Sequence, residues 1–168
     1  LGRVFERIMD PGDRHRTGTF YTPESVVRQV VDAAIETALG SERGPDDIRR
    51  LRVLDPAVGS GAFLLRALDR LTELRLATLR HPPSAAQVRR DVLRENLFGV
   101  DLSPIAVRLA ELRLWLAVIA DDATSDIEKI LPLPNLDGVI RQGDTLLDPI
   151  GAARALPGAL PHRCSTVS

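Results

Sequence analysis

Apolar residues along this chain alternate between longer runs at helical spacing and short unbroken blocks bounded by Gly, Pro and Asp. Val4, Phe5, Ile8 and Met9 share one helical face before Asp10-Pro11-Gly12 stops the run, which predicts a short lead helix. Thr22 as N-cap, Pro23 at the first helical position and Glu24 in the first turn predict the start of a second helix. It runs to about Leu39, buries Val27, Val30, Val31, Ala34, Ile35 and Ala38 along one stripe, and ends at Gly40. After a charged stretch, Leu51-Arg52-Val53-Leu54-Asp55 reads as a buried strand.

From Ala62 a helix carries Leu64, Ala67, Leu68, Leu71 and Leu74, ending before His81-Pro82-Pro83, and Ser84 caps another that reaches about Arg94. Leu97-Phe98-Gly99-Val100-Asp101 repeats the strand pattern, apolar and closed by an acid. Ser103-Pro104 then opens a helix with Ile105, Leu109, Leu112, Leu116 and Ile119 in one line; Trp115 lies off it, against either a neighbouring segment or a partner domain. An acidic loop over Asp121 to Asp126 and a Pro-bearing stretch lead to a third strand, Gly138 to Gln142, closed by Gly143-Asp144. Strands alternating with helices predict a parallel α/β sheet that binds ligands at its carboxyl ends.

Composition adds limits. The 168 residues suffice for one domain, and 44% hydrophobic with 27% charged residues favours neither disorder nor a repeat. A net charge of -1 gives no basic footprint for nucleic-acid phosphates, so any DNA contact rests mostly on other sequence. Arg14, His15 and Arg16 form a short charge run that reads first as a solvated face. Cys164 is the single cysteine, which excludes an internal disulfide and a Cys-rich metal site and fits a cytoplasmic setting. No stretch is long and apolar enough to span a membrane as a helix.

The candidate chemistry sits where the strands end. Asp55-Pro56-Ala57-Val58-Gly59-Ser60-Gly61 joins the first strand to a helix, and Gly59 and Gly61 allow a tight turn close to a ligand. A dinucleotide fingerprint would place a third glycine at position 64, where this chain has Leu64. Asp55 at the loop's mouth repels a pyrophosphate and attracts an ammonium or sulfonium, so a cationic nucleoside such as S-adenosyl-L-methionine fits better. Asp101 is placed to accept from both ribose hydroxyls; its alternative role, a charge near the Ser103 helix, yields once the loop is considered. Leu102 lies against an adenine ring or belongs to the core, and Asp144 either accepts from the adenine amino group or is a turn residue.

In order, these residues resemble the amino-methyltransferases of DNA, the adenine-N6 group whose cofactor motifs precede the catalytic one. Thr19-Phe20-Tyr21-Thr22-Pro23 resembles that family's first motif, over the methionine end of the cofactor, and Asp55 to Leu64 resembles its glycine-rich loop. Gly99-Val100-Asp101-Leu102 is similar to the ribose motif and Gln142-Gly143-Asp144 to the motif that holds the adenine amino group. The resemblance implies a partial Rossmann-like methyltransferase fold with its first three parallel strands. Its cofactor is S-adenosyl-L-methionine, bound by Tyr21, Thr22, Pro23, Asp55, Pro56, Ala57, Gly59, Gly61, Asp101, Leu102 and Asp144. With the spacing and composition of its two ends, the chain divides into a lead helix and linker (1–17), an incomplete methyltransferase region (18–150) and a poorly ordered tail (151–168).

The family's catalytic run, Asn or Asp followed by Pro-Pro and an aromatic, does not follow Asp144; the Pro82-Pro83 pair follows a helix and reads as a linker. The expectation is therefore no catalytic residue, no metal, and a fragment inactive alone. The family's fourth strand lies beside the first, so Leu51 to Leu54 should be left open along an edge. Implied partners are double-stranded DNA, the remaining half of the methyltransferase, and specificity and nuclease domains. Two other readings stand beside this one: methyl transfer to a protein glutamine or an RNA base, against which the Tyr21-Thr22-Pro23 lead and Asp55-Pro56-Ala57 argue, and a non-catalytic remnant or nucleoside-binding module.

Overall fold

A computed structural model describes residues 22–41, 44–81, 83–120, 135–136 and 138–147. The lead helix, Arg14 to Arg16, Tyr21, the acidic loop and the tail beyond 150 lie outside these residues. The elements are α1 (Glu24–Leu39), α2 (Pro45–Arg50), β1 (Val53–Asp55), α3 (Ala62–Thr78), α4 (Ala85–Asn96), β2 (Leu97–Asp101), α5 (Pro104–Ala120) and β3 (Ile140–Gln142). The strands form one parallel sheet in the order β1-β2-β3, with Asp55 paired to Gly99 and Asp101 to Gln142. This is the expected partial Rossmann-like architecture.

Two successive crossovers step the same way across the sheet, and right-handedness places their helices on one face. Leu97, Gly99 and Ile140 are buried on that face, under Leu64, Leu68, Leu71, Leu93, Val107, Ala110 and Leu114. Leu54, Phe98, Val100 and Arg141 alternate to the other face, where Leu54 is 59% exposed.

Local chemistry explains most element ends. The Ser84 hydroxyl accepts from the Gln87 N–H at 3.2 Å and starts α4, as expected. α2 occupies the charged stretch that carries no helical signal in the sequence; Pro45 opens it and the Asp47 carboxylate accepts from Gly44 N–H at 2.9 Å. At α1 the cap shifts by one residue: Pro23 holds the N-cap position, its carbonyl accepts from Val26 and Val27, and Thr22 makes no side-chain cap. Asn96 is fully buried; it donates to the Ile48 and Leu51 carbonyls at 3.0 and 2.6 Å and accepts from Arg75 at 2.7 Å. That network ends α2 and fixes where the chain enters β1, so the strand begins at Val53 instead of Leu51.

Two expected stripes behave differently. In α1, Val27, Val31 and Ile35 are buried, whereas Val30, Ala34 and Ala38 are exposed and line a groove of about 400 Å³ along the open edge of β1. In α5 the Ile105 line turns outward: Ile105, Leu112, Leu116 and Ile119 are 40–60% exposed, while Ala106, Val107, Ala110, Leu114 and Val118 are buried. The helix is apolar almost all round, so spacing alone does not choose a face; close approach does. A Cβ on Gly61 would lie 3.3 Å from Ala110, a contact that only the small-residue side of α5 allows.

α1 is tied to α3 by a bidentate pair, Arg66 Nε to Asp32 Oδ1 at 2.9 Å and Nη2 to Oδ2 at 2.7 Å. Those bonds hold the Asp32 carboxyl below its ordinary value of 3.8, outweighing the opposing effect of burial. A lowered carboxyl stabilises the fold fully above the unfolded value and loses that contribution as pH falls through the folded one. Asp32→Asn is therefore expected to cost about 1 kcal/mol at neutral pH. In urea titrations this gap closes as pH falls below the ordinary carboxyl value of 3.8; a gap independent of pH would refute the assignment.

Candidate cofactor site

β1 ends at Asp55, and the chain turns at once. The Ala57 N–H bonds back to Asp55 Oδ1 at 3.1 Å, closing an Asx turn through Pro56 and Ala57, both exposed. Val58 N–H then donates to the Val100 carbonyl at 2.9 Å, laying the turn against the last residues of β2, and Gly61 N–H donates to the Val58 carbonyl at 2.8 Å. Gly59 (φ +51°) and Gly61 (φ +80°) occupy the left-handed region, which side chains other than glycine enter at a cost. α3 begins directly behind Gly61.

Asp101 closes the other side. Its Oδ2 accepts from Gly59 N–H at 2.8 Å and its Oδ1 from Ser103 N–H at 2.9 Å. Each oxygen keeps a second lone pair, so both retain acceptor capacity for hydroxyls. The side chain thus anchors the start of α5, as its alternative reading described, and also grips the glycine loop. Asp55, Gly99 and Asp101 alternate to the same face of the sheet. Between the acids, Gly99 leaves room for Val58, Leu64 and Ile140, whose tips would stand 2.9–3.0 Å from a Cβ placed there.

The third strand reaches this group through its turn. Gly143 N–H donates to the Asp101 carbonyl at 2.9 Å, Gln142 to the Leu102 carbonyl at 3.3 Å, and the Thr145 hydroxyl to the Pro56 carbonyl at 3.0 Å. Asp144 is exposed, and its Oδ1 accepts from Leu146 N–H at 2.9 Å, so it makes the turn its alternative reading described. Leu102, 69% exposed beyond β2, is not part of the core. Asp55, the loop, Asp101 and the Asp144 turn are thus assembled at one end of the sheet. Thr22 and Pro23 stand at the head of α1, joined to that group by no hydrogen bond among the described residues.

Electrostatics single out Asp55. Burial pushes its carboxyl above the ordinary value of 3.8; the Ala57 N–H offsets part of this, and the nearby Asp101 charge adds to the rise. Its Oδ2 is buried without a hydrogen-bond partner among the described residues. A buried, unpartnered carboxylate oxygen beside a second carboxylate suits a cationic donor such as an ammonium and is hostile to a phosphate. No group of His, Cys, Asp and Glu able to hold a metal occurs among the described residues.

Comparison with known proteins gives the family. A family model, the DNA-methyltransferase domain of MmeI, matches residues 39–148 of the 168. The chain belongs to this methyltransferase family. It is 38% identical over 109 residues to RM.MjaORFECS2P of Methanocaldococcus jannaschii, named as a type II restriction enzyme and methyltransferase, covering 61% of this chain and 9% of that protein. It is 29% identical over 129 residues to the adenine-specific methyltransferase PglX of Streptomyces coelicolor, covering 77% of this chain and 10% of the relative. The chain thus spans about a tenth of the length of these relatives. The M protein of the type I restriction enzyme EcoKI matches 74% of this chain and 20% of its own, at 20% identity and a TM-score of 0.43.

Two features of this methyltransferase domain were not read from its sequence: the grip of Asp101 on Gly59, and the contact of Arg113 with Ser60. Asp101 ahead of Ser103-Pro104 signals a charge near a helix N-terminus, but a bond across 42 residues has no local signature. Gly99→Ala should destabilise the fold by about 1–3 kcal/mol through overpacking between the loop, α3 and β3. Thermal or denaturant unfolding reads this, and a variant as stable as the parent would contradict the packing described.

Proposed function

We propose that this chain is the S-adenosyl-L-methionine-binding portion of a site-specific DNA adenine-N6 methyltransferase of a restriction-modification system. The observation that carries the reading is the meeting of Asp55, with its unpartnered buried oxygen, and Asp101, with acceptor capacity on both oxygens, across one glycine turn. Membership of the MmeI methyltransferase family supports the cofactor class, and the likeness to an adenine-specific methyltransferase supports the base.

In this reading Asp55 takes the ammonium of the methionine arm, Pro56, Ala57, Gly59 and Gly61 let backbone approach the ligand, and Asp101 accepts from the ribose. Leu102 offers an exposed apolar face to the adenine, Asp144 stands near its amino group, and Tyr21, Thr22 and Pro23 cover the methionine end. When bound, S-adenosyl-L-methionine supplies an electrophilic methyl on a sulfonium. The protein's own part is to orient that cation and to offset its charge with two carboxylates.

Double-stranded DNA is engaged mostly by regions outside this chain, whose sequence carries no Asn or Asp followed by Pro-Pro and an aromatic. The 168 residues alone are therefore inactive in methyl transfer, and the setting is cytoplasmic. The remaining methyltransferase half, with specificity and nuclease domains, completes the enzyme, and the target amino group belongs to an adenine taken out of the stack.

Isothermal calorimetry with S-adenosyl-L-methionine tests the reading. The folded chain should bind it, and Asp101→Ala should weaken binding by roughly tenfold or more, one charge-assisted hydrogen bond accounting for about that factor. Binding of a cation favours the Asp55 carboxylate, so affinity should fall, with proton release on binding, as pH drops through the raised Asp55 value above 3.8. Absence of binding by folded protein would sink the reading.

A further inference from the structure

Arg113 belongs to none of the motifs that define the site, yet it reaches the centre of the glycine turn. From the third turn of α5, its Nη1 donates to the Ser60 carbonyl at 2.6 Å and to the Ser60 hydroxyl at 2.9 Å, across 53 residues of chain. Ser60 lies between Gly59 and Gly61, both in the left-handed region, so its peptide groups have the least local restraint in the turn. The rest of the turn is held elsewhere: Val58 by Val100, Gly59 by Asp101, and Gly61 by its bond to Val58 and its close approach to Ala110. Ser60 is the link that these contacts leave unset, and Arg113 sets it.

The same helix begins directly after Asp101, whose Oδ1 is fixed by the Ser103 N–H at the start of α5. One rigid element therefore fixes the carboxylate on one side and the turn on the other. The contact with the turn is made to a carbonyl and a hydroxyl, so on Ser60 it acts by direction.

We propose that Arg113 is a positioning residue for the cofactor: it holds the Ser60 peptide so that the Gly59–Gly61 turn is already shaped for the methionine end of the ligand. The inference rests on the S-adenosyl-L-methionine reading and extends it to a residue outside the motifs. Without the guanidinium, two glycines flank an unanchored peptide, and the turn has to be ordered each time a ligand binds.

The experiment compares two ligands on the full 168-residue chain by calorimetry: S-adenosyl-L-methionine, and methylthioadenosine, which lacks the amino-acid arm. Arg113→Ala should weaken the first by about tenfold, the scale of one charge-assisted hydrogen bond, and the second by less than about threefold. Arg113→Lys, which keeps one donor for the Ser60 carbonyl, should recover much of the loss. If Arg113→Ala does not fold, Arg113→Lys carries the same comparison at an intermediate loss. Equal weakening of both ligands would mark a merely structural role and overturn the proposal, as would unchanged affinity for S-adenosyl-L-methionine. No binding of that ligand by the unaltered folded chain would overturn both readings, whereas binding that the variants leave untouched overturns this one alone.

Discussion

A strand in a parallel sheet runs out of partners at its carboxyl end, and the chain leaving it must satisfy its own peptide groups or find a neighbour that will. Here the neighbour is β2. The turn after β1 donates Val58 N–H to the Val100 carbonyl and Gly59 N–H to the Asp101 carboxylate, so loop and acid hold each other in place. Gly143 then bonds to Asp101 and Thr145 to Pro56, which gathers the third strand's turn to the same point. The site is a consequence of how three strand ends share hydrogen bonds.

That arrangement carries a cost at Asp55. A carboxylate with one oxygen buried and unpartnered among the described residues, close to a second carboxylate, opposes folding in its charged state. Residues held this way recur at binding sites, where a ligand completes what the fold leaves open. One oxygen of Asp55 closes the turn with the Ala57 N–H, which leaves the other as the acceptor on which the proposed function rests.

The surface around the site is equally uneven. One sheet face is covered by helices, while Leu54 lies open on the other and an apolar groove follows the free edge of β1. Parallel sheets are ordinarily covered on both faces, because their strands are apolar on both. Val30, Ala34 and Ala38, counted in the sequence as core, line this groove. The α5 line from Ile105 to Ile119 is a second apolar surface facing outward.

Local pattern alone set the order of the strands and of every helix but α2, the parallel α/β class, the buried face of α3, and the acids and glycines at the strand ends. These are local: spacing selects a face when the opposite face is polar, and Gly, Pro and Ser mark ends through backbone geometry. Tertiary structure decided what local rules leave degenerate. α5 is apolar nearly all round, and the close approach of Ala110 to Gly61 sets the face that leaves Ile105, Leu112, Leu116 and Ile119 outward. Asn96 shortened β1 by tying the carbonyls at the end of α2, and Asp101 and Arg113 found Gly59 and Ser60 across 42 and 53 residues. Such bonds join positions that nothing in one sequence relates, because their energy exists only once the helices and strands have packed.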